Sequence, residues 1–204
     1  MQLIYGTGNS AKVQHMRSLL SSLDVEIIGI KELGVPLPDI DESGNDTLEN
    51  AIIKAKAFYI ALEKPVFSAD SGLYFEEVPP ELQPGVHVRR VNGKNLSDAE
   101  MTAYYADLAR QYGGKLTAQY RNAICFVMSD SEIYTRNEPD IWGQQFLLVD
   151  RPHEKRVEGF PLDCLSVNPV SGEYYYDDNT QNDIFEHSGF VTFFCDVLKG
   201  KAAL

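Results

Sequence analysis

Gln2-Leu3-Ile4-Tyr5-Gly6-Thr7-Gly8-Asn9-Ser10-Ala11-Lys12 decides the fold. Gln2 to Tyr5 reads as a short buried strand. From Ser10 to Leu23 the apolar residues Val13, Met16, Leu20 and Leu23 recur on one helical face. A strand that runs through a glycine turn into a helix is the opening of an α/β sheet. The crevice beyond strand C-termini is where such sheets bind ligands. The first-turn N–H groups and the helix dipole favour an anion there, and Lys12 adds a full positive charge. Asn9 or Ser10 serving as an ordinary N-cap, with Lys12 solvated, is the plainer reading. The spacing is not that of a P-loop.

The pattern continues outward. Val25 to Ile30 reads as a second strand, and Lys31 to Asp46 as a loop. A helix follows from about Asp46 to Glu63, with Asp46 and Glu49 at capping-box spacing. Pro65 stops it, and Val66-Phe67 opens a strand that leads to Ser68-Ala69-Asp70-Ser71-Gly72-Leu73. Asp70, read at that strand's end, can hold Mg²⁺ or orient a water, or simply form an Asp-Ser-Gly turn. Asp39, Asp41, Glu42, Asp46 and Glu49 crowd nearby, suiting a cation, a solvated loop or a helix cap.

Farther on, Ser97 to Tyr112 reads as a helix with Ser97 as N-cap and Gly113-Gly114 as its stop. Leu116 to Met128 reads as a strand and Ile133 to Leu148 as a strand pair around Trp142-Gly143. Lys155 to Cys164 leads into a loop and strand, and Asn182 to Leu198 reads as a closing helix. Strands and helices mingle around a β-rich middle, which predicts a mixed α/β sheet.

Composition narrows the function. The 204 residues can bury a full core in one domain or two packed lobes. A net charge of −12 argues against nucleic acid and anionic membrane as partners. No apolar run reaches membrane-spanning length, and no secretory leader is read at the start. Cys125, Cys164 and Cys195 read as reduced thiols in a cytoplasmic protein. The phosphate-suited loop and the metal-suited carboxylate together suggest an enzyme acting on a phosphorylated small molecule.

Four segments in order resemble the inosine triphosphate pyrophosphatase family. Thr7-Gly8-Asn9 with Lys12 matches T-G-N-x-x-K, and Glu49-Asn50-Ala51-Ile52-Ile53-Lys54-Ala55 matches its E-N-A-x-x-K-A helix. Asp70-Ser71-Gly72-Leu73 matches D-S-G-L, and Pro84-Gly85 with Arg90 and Gly93 matches P-G-x-x-x-x-R-x-x-G. The resemblance implies one α/β domain over residues 1–204: an elongated mixed sheet flanked by helices, two lobes with an active-site cleft between them, and a homodimer. It implies Mg²⁺-dependent cleavage of ITP, dITP or XTP to the monophosphate and pyrophosphate. By position, Thr7, Gly8, Asn9, Ser10, Ala11 and Lys12 would cradle the triphosphate, and Ser71 would contact it. Asp41 and Asp70 would hold the metal, with Asp70 as the catalytic acid group. Phe160, Asp163 and His187 would meet the base.

The departures from the family pattern lie mostly at the base end. The first of two acids before S-G is Ala69, F-G-[YW]-D-P becomes Phe160-Pro161-Leu162-Asp163-Cys164, and S-H-R becomes Glu186-His187-Ser188. The family's upstream lysine falls at Asn182. Serine offers fewer donors than arginine to a keto oxygen. These changes keep two other readings open: a non-catalytic nucleotide-binding homologue, and the same hydrolase with altered base specificity.

Overall fold

The computed structural model describes residues 1–41, 43–178 and 189–199. Strands β1 (Gln2–Tyr5), β2 (Glu26–Gly29), β3 (Val66–Phe75), β6 (Lys115–Ser129), β7 (Glu132–Arg136), β8 (Phe146–Val149) and β9 (Ser166–Val167) form one mixed sheet. Its order is β2-β1-β3-β6-β8-β9, with β7 also paired to β6. β4 (Arg90–Val91) and β5 (Lys94–Asn95) form a separate small hairpin. The helices are α1 (Ser10–Leu19), α2 (Thr47–Leu62), α3 (Asp98–Gln111) and α4 (Gly189–Lys199). Among the described residues no helix is long and apolar enough to cross a membrane.

The chain divides into two compact units. Unit 1 holds Met1–Ser71, Arg121–Trp142 and Ile184–Leu204; unit 2 holds Gly72–Tyr120 and Gly143–Asp183. In unit 1, β1 pairs parallel with β2 and β3, so Tyr5 lies opposite both Gly29 and Phe67. The Tyr5 ring stacks on Phe67 at 4.5 Å, and Phe67 meets Phe194 edge-on at 5.0 Å. These rings centre a core to which α1 contributes Val13, Met16 and Leu19. Helix α1 stops at Leu19, short of the expected Leu23, with Leu20 as its C-cap; Leu20 and Leu23 still pack into the same core. On the opposite side α2 packs Ala51 and Ala55 against Cys125 and Val127. Asp46 caps α2 by accepting from Glu49 N at 2.8 Å, while the Glu49 carboxylate reaches past it to Asn45 N at 2.7 Å. Only half of a capping box therefore forms.

Unit 2 has its own core, centred on Leu73, Tyr105, Leu116, Leu148 and Leu165. A full capping box of Ser97 and Glu100 starts α3. Gly113 and Gly114, both at positive φ (87° and 95°), end it. β8 runs antiparallel to both β6 and β9.

Two expectations from the sequence change. The segment from Ile133 to Leu148 is not a strand pair: β7 and β8 each pair with β6, which at fifteen residues is long enough to serve both. Asp70 does not end a strand, since β3 continues through Ser71 and Gly72 to Phe75. Leu73, Tyr74 and Phe75 restore strand character after the Asp-Ser-Gly, and Leu73 bridges Gly85 through two backbone hydrogen bonds of 2.9 and 3.1 Å. The expected closing helix is α4; its anticipated start at Asn182 lies outside the described residues.

Candidate active site

In unit 1, a loop, a helix and a strand meet around one carboxylate. Alternation along β3 turns Phe67 and Ala69 into the aromatic core and Ser68 and Asp70 to the other face. Asp70 is buried there, and α2 supplies its partners from one helical face, four residues apart. Lys54 Nζ donates to Asp70 Oδ1 at 2.7 Å, and Asn50 Nδ2 donates to Oδ2 at 3.3 Å. Asn50 is itself fixed, because its Oδ1 accepts from Gly44 N at 2.9 Å. All three side chains are nearly excluded from water, so each polar group depends on the others.

The Gly6-Thr7-Gly8 turn lies beside this cluster. With Pro38, Asp39, Ile40, Lys54 and Phe58 it lines a cleft of about 240 Å³. Gly6 is required by closeness: a Cβ there would stand 2.2 Å from Ser68 Oγ and 2.8 Å from the Phe58 ring. Ser68 Oγ donates to Gly6 O at 3.0 Å, and Gly6 N donates to Phe67 O at 2.7 Å, which ties the turn to β3.

The helix N-terminus differs from the expected open cradle. Asn9 is the N-cap, and its Oδ1 accepts from Ala11 N at 2.9 Å and Lys12 N at 3.3 Å. Thr7 Oγ1 accepts from Asn9 N at 3.2 Å. First-turn donors that the sequence suggested for phosphate are thus already satisfied within the loop. Ser10 is exposed, and Lys12 sits half-buried in the first turn.

The acidic residues divide by role. Asp46 and Glu49 serve the start of α2, Asp39 lines the cleft, and Asp41 is exposed on the approach to α2. Glu42 lies outside the described residues. Among the described residues no three His, Cys, Asp or Glu side chains gather as a metal site. The donors present are hard carboxylate oxygens, which suit Mg²⁺ completed by substrate phosphates rather than a cage built by protein alone. Ser71 follows Asp70 in β3, half-buried, with its side chain on the opposite face by strand alternation.

Phe160 and Asp163 belong to unit 2. Asp98 Oδ2 accepts from Gly159 N at 2.9 Å, and Thr102 Oγ1 donates to Pro161 O at 2.8 Å, so α3 holds the turn that carries Phe160. Burial pushes the Asp163 carboxyl up to about 6. Its side chain takes no hydrogen bond from a described residue, and the Tyr176 hydroxyl is buried without one. His187, Ser188 and Asn182 lie outside the described residues. Of the three cysteines, Cys125 and Cys164 are buried and all are free thiols. Burial pushes Cys125 up to about 11, away from thiolate chemistry.

Reasoning from single residues assigned no role to Asn50 or Lys54. The available signal was a polar pair at i and i+4 flanking the apolar stripe of α2.

Comparison with known proteins identifies the relatives of this chain. The profile of the Ham1 family matches residues 3–161. A dITP/XTP pyrophosphatase from Coxiella burnetii is 37% identical over 100 residues, covering 49% of this chain and 48% of that protein. This match thus spans about half of the relative's length. A dITP/XTP pyrophosphatase from Thermoanaerobacter pseudethanolicus is 29% identical over 187 residues, covering 91% of this chain and 85% of the relative. The solved structure of a Ham1 protein from Coxiella burnetii superposes with a TM-score of 0.70 at 24% identity, covering 98% of this chain and 99% of that one, which speaks for the fold.

Proposed function

The chain belongs to the Ham1 family, and from that premise we propose that it is a Mg²⁺-dependent nucleoside-triphosphate pyrophosphatase acting on ITP, dITP or XTP. It would clear such nucleotides from the cytoplasmic pool as a homodimer. The names of the relatives support the substrate class. The observation that carries the reading is the buried Asp70 held by Lys54 and Asn50 beside the Gly6–Gly8 cleft.

Asp70 is the catalytic residue. Two of the roughly four lone-pair sites of its carboxylate are occupied, which leaves acceptor capacity for a water. That water attacks the α-phosphorus, the bond to the bridging oxygen breaks, pyrophosphate leaves, and the water's proton passes to Asp70. Asn50 and Lys54 keep the carboxylate aimed, so no reorientation is needed at the moment of attack. Thr7, Gly8, Asn9, Ser10, Ala11 and Lys12 line the triphosphate, and Ser71 contacts it. Asp70 and Asp41 are the residues that would hold Mg²⁺, which supplies charge neutralisation at the phosphates. Phe160, Asp163 and His187 meet the base.

A second reading has one observation in its favour. Both oxygens of Asp70 are engaged and Ala69 replaces a second acid, which suits a homologue that binds nucleotide without turnover. The deciding experiment is pyrophosphate release with Mg²⁺ from ITP, XTP, dITP, GTP and dUTP. Release from ITP, dITP or XTP supports the hydrolase. Release from GTP or dUTP alone means a retargeted pocket. Binding without release selects the second reading.

A further inference from the structure

We propose that Lys31 is a phosphate-chain contact, a cation held over the Thr7–Lys12 loop to bind the polyphosphate of the substrate. The inference rests on the pyrophosphatase reading for the identity of the ligand, and on the geometry of unit 1 for the residue.

The sheet brings Lys31 to the loop. β1 and β2 run parallel with Tyr5 opposite Gly29, so the residues that follow them emerge side by side. Lys31, two residues past Gly29, meets Gly8, three past Tyr5. Its Cε and Nζ lie 3.5 and 3.9 Å from where a Cβ on Gly8 would stand. Gly8 also lines the 240 Å³ cleft, so the ammonium stands beside a residue of that lining.

No ion pair among the described residues neutralises Lys31. Its neighbour Glu32 is taken by Arg17, whose Nη2 sits 2.6 Å from Glu32 Oε2 while also donating to Ile27 O at 2.7 Å. In a chain of net charge −12, an exposed ammonium that bypasses the available carboxylates points to an anion from outside.

The loop needs such a charge. Asn9 has taken the N–H groups of Ala11 and Lys12, so the backbone there offers less to phosphate than the motif suggests. Lys54 is neutralised by Asp70. Lys31 adds an ammonium beside Gly8, and lysine acts on phosphate as a mobile point charge.

The test is titration calorimetry of inorganic tripolyphosphate into the full chain and into Lys31→Met and Lys31→Arg, at low and high salt with Mg²⁺ present. Lys31→Met is expected to weaken binding about tenfold at low salt, with the gap closing as salt screens an exposed charge. Lys31→Arg should recover most of the affinity. The residue is exposed, so unfolding curves of all three proteins should superimpose. Unchanged affinity in Lys31→Met, or failure of the wild type to bind tripolyphosphate at all, overturns the proposal. Wild-type binding that depends on Lys31 but comes with no pyrophosphate release from any triphosphate sustains the contact and sinks the hydrolase reading.

Discussion

Two carboxylates in this molecule live under opposite conditions. Asp70, in unit 1, is buried with both oxygens hydrogen-bonded, one of them by an ammonium. Asp163, in unit 2, is half-buried and takes no hydrogen bond from a described residue, and burial drives its carboxyl up to about 6. A charge prepared in advance costs little to keep and can act at once. A charge left without partners is costly until something binds it. Phosphate chemistry needs the first arrangement, whereas a ligand's polar edge can complete the second.

The sharpest way to break this contrast is at Asp70. Asp70→Asn should lower pyrophosphate release by at least ~100-fold, the usual weight of a positioned general base. Ordinary turnover would remove Asp70 from the chemistry. The companion Lys54→Met isolates the pairing itself. Removing one partner of a buried ion pair costs on the order of 3–5 kcal/mol, because the other charge is stranded. A urea-unfolding loss under ~1 kcal/mol would show that Asp70 does not depend on Lys54.

The next test concerns Asp163 and its sign. The unfolded carboxyl titrates near 3.8 and the folded one near 6. Below pH ~4 both states are protonated and the group contributes nothing. As pH rises through 6 the folded state must ionise a buried group, so stability falls by about 1–3 kcal/mol across this window. Asp163→Asn should erase that slope, and its advantage over the wild type should grow from pH 4 to pH 6.5 and then level off. Parallel pH curves for the two proteins would mean that Asp163 is supported after all.

The smallest effect is expected at Asp98. Its carboxylate, held below the ordinary range first by the Gly159 N–H and then by Arg89, is partly solvated. Asp98→Ala should cost about 1 kcal/mol, the worth of one such hydrogen bond, in urea unfolding. A loss of several kcal/mol would make the Gly159 turn as tightly built as the Asp70 cluster.

Much of this is legible in the sequence. The β1–turn–α1 opening, the span of α2, the Ser97 cap and the Gly113-Gly114 stop all follow from local patterns that tertiary structure left intact. Asp70 was misplaced because Asp-Ser-Gly is turn chemistry in isolation, and only sheet pairing holds it extended. β7 and β8 were paired with each other because sequence shows alternation and not partners. The role of Lys54 stayed hidden because a lysine on a helix face reads as solvated until a buried carboxylate is found opposite it. Asn9 shows the reverse case, in which the plainer reading of the residue was the one realised.

The Lys54–Asp70 pair is also an internal salt. Its two charges cancel at close range, so the pocket keeps a fixed carboxylate that adds nothing to the chain's net charge of −12. A cation that joined Asp70 alongside Lys54 would leave the pocket with positive charge in excess, and an anion would restore the balance. Uptake of the one would then favour uptake of the other, without any movement of the backbone.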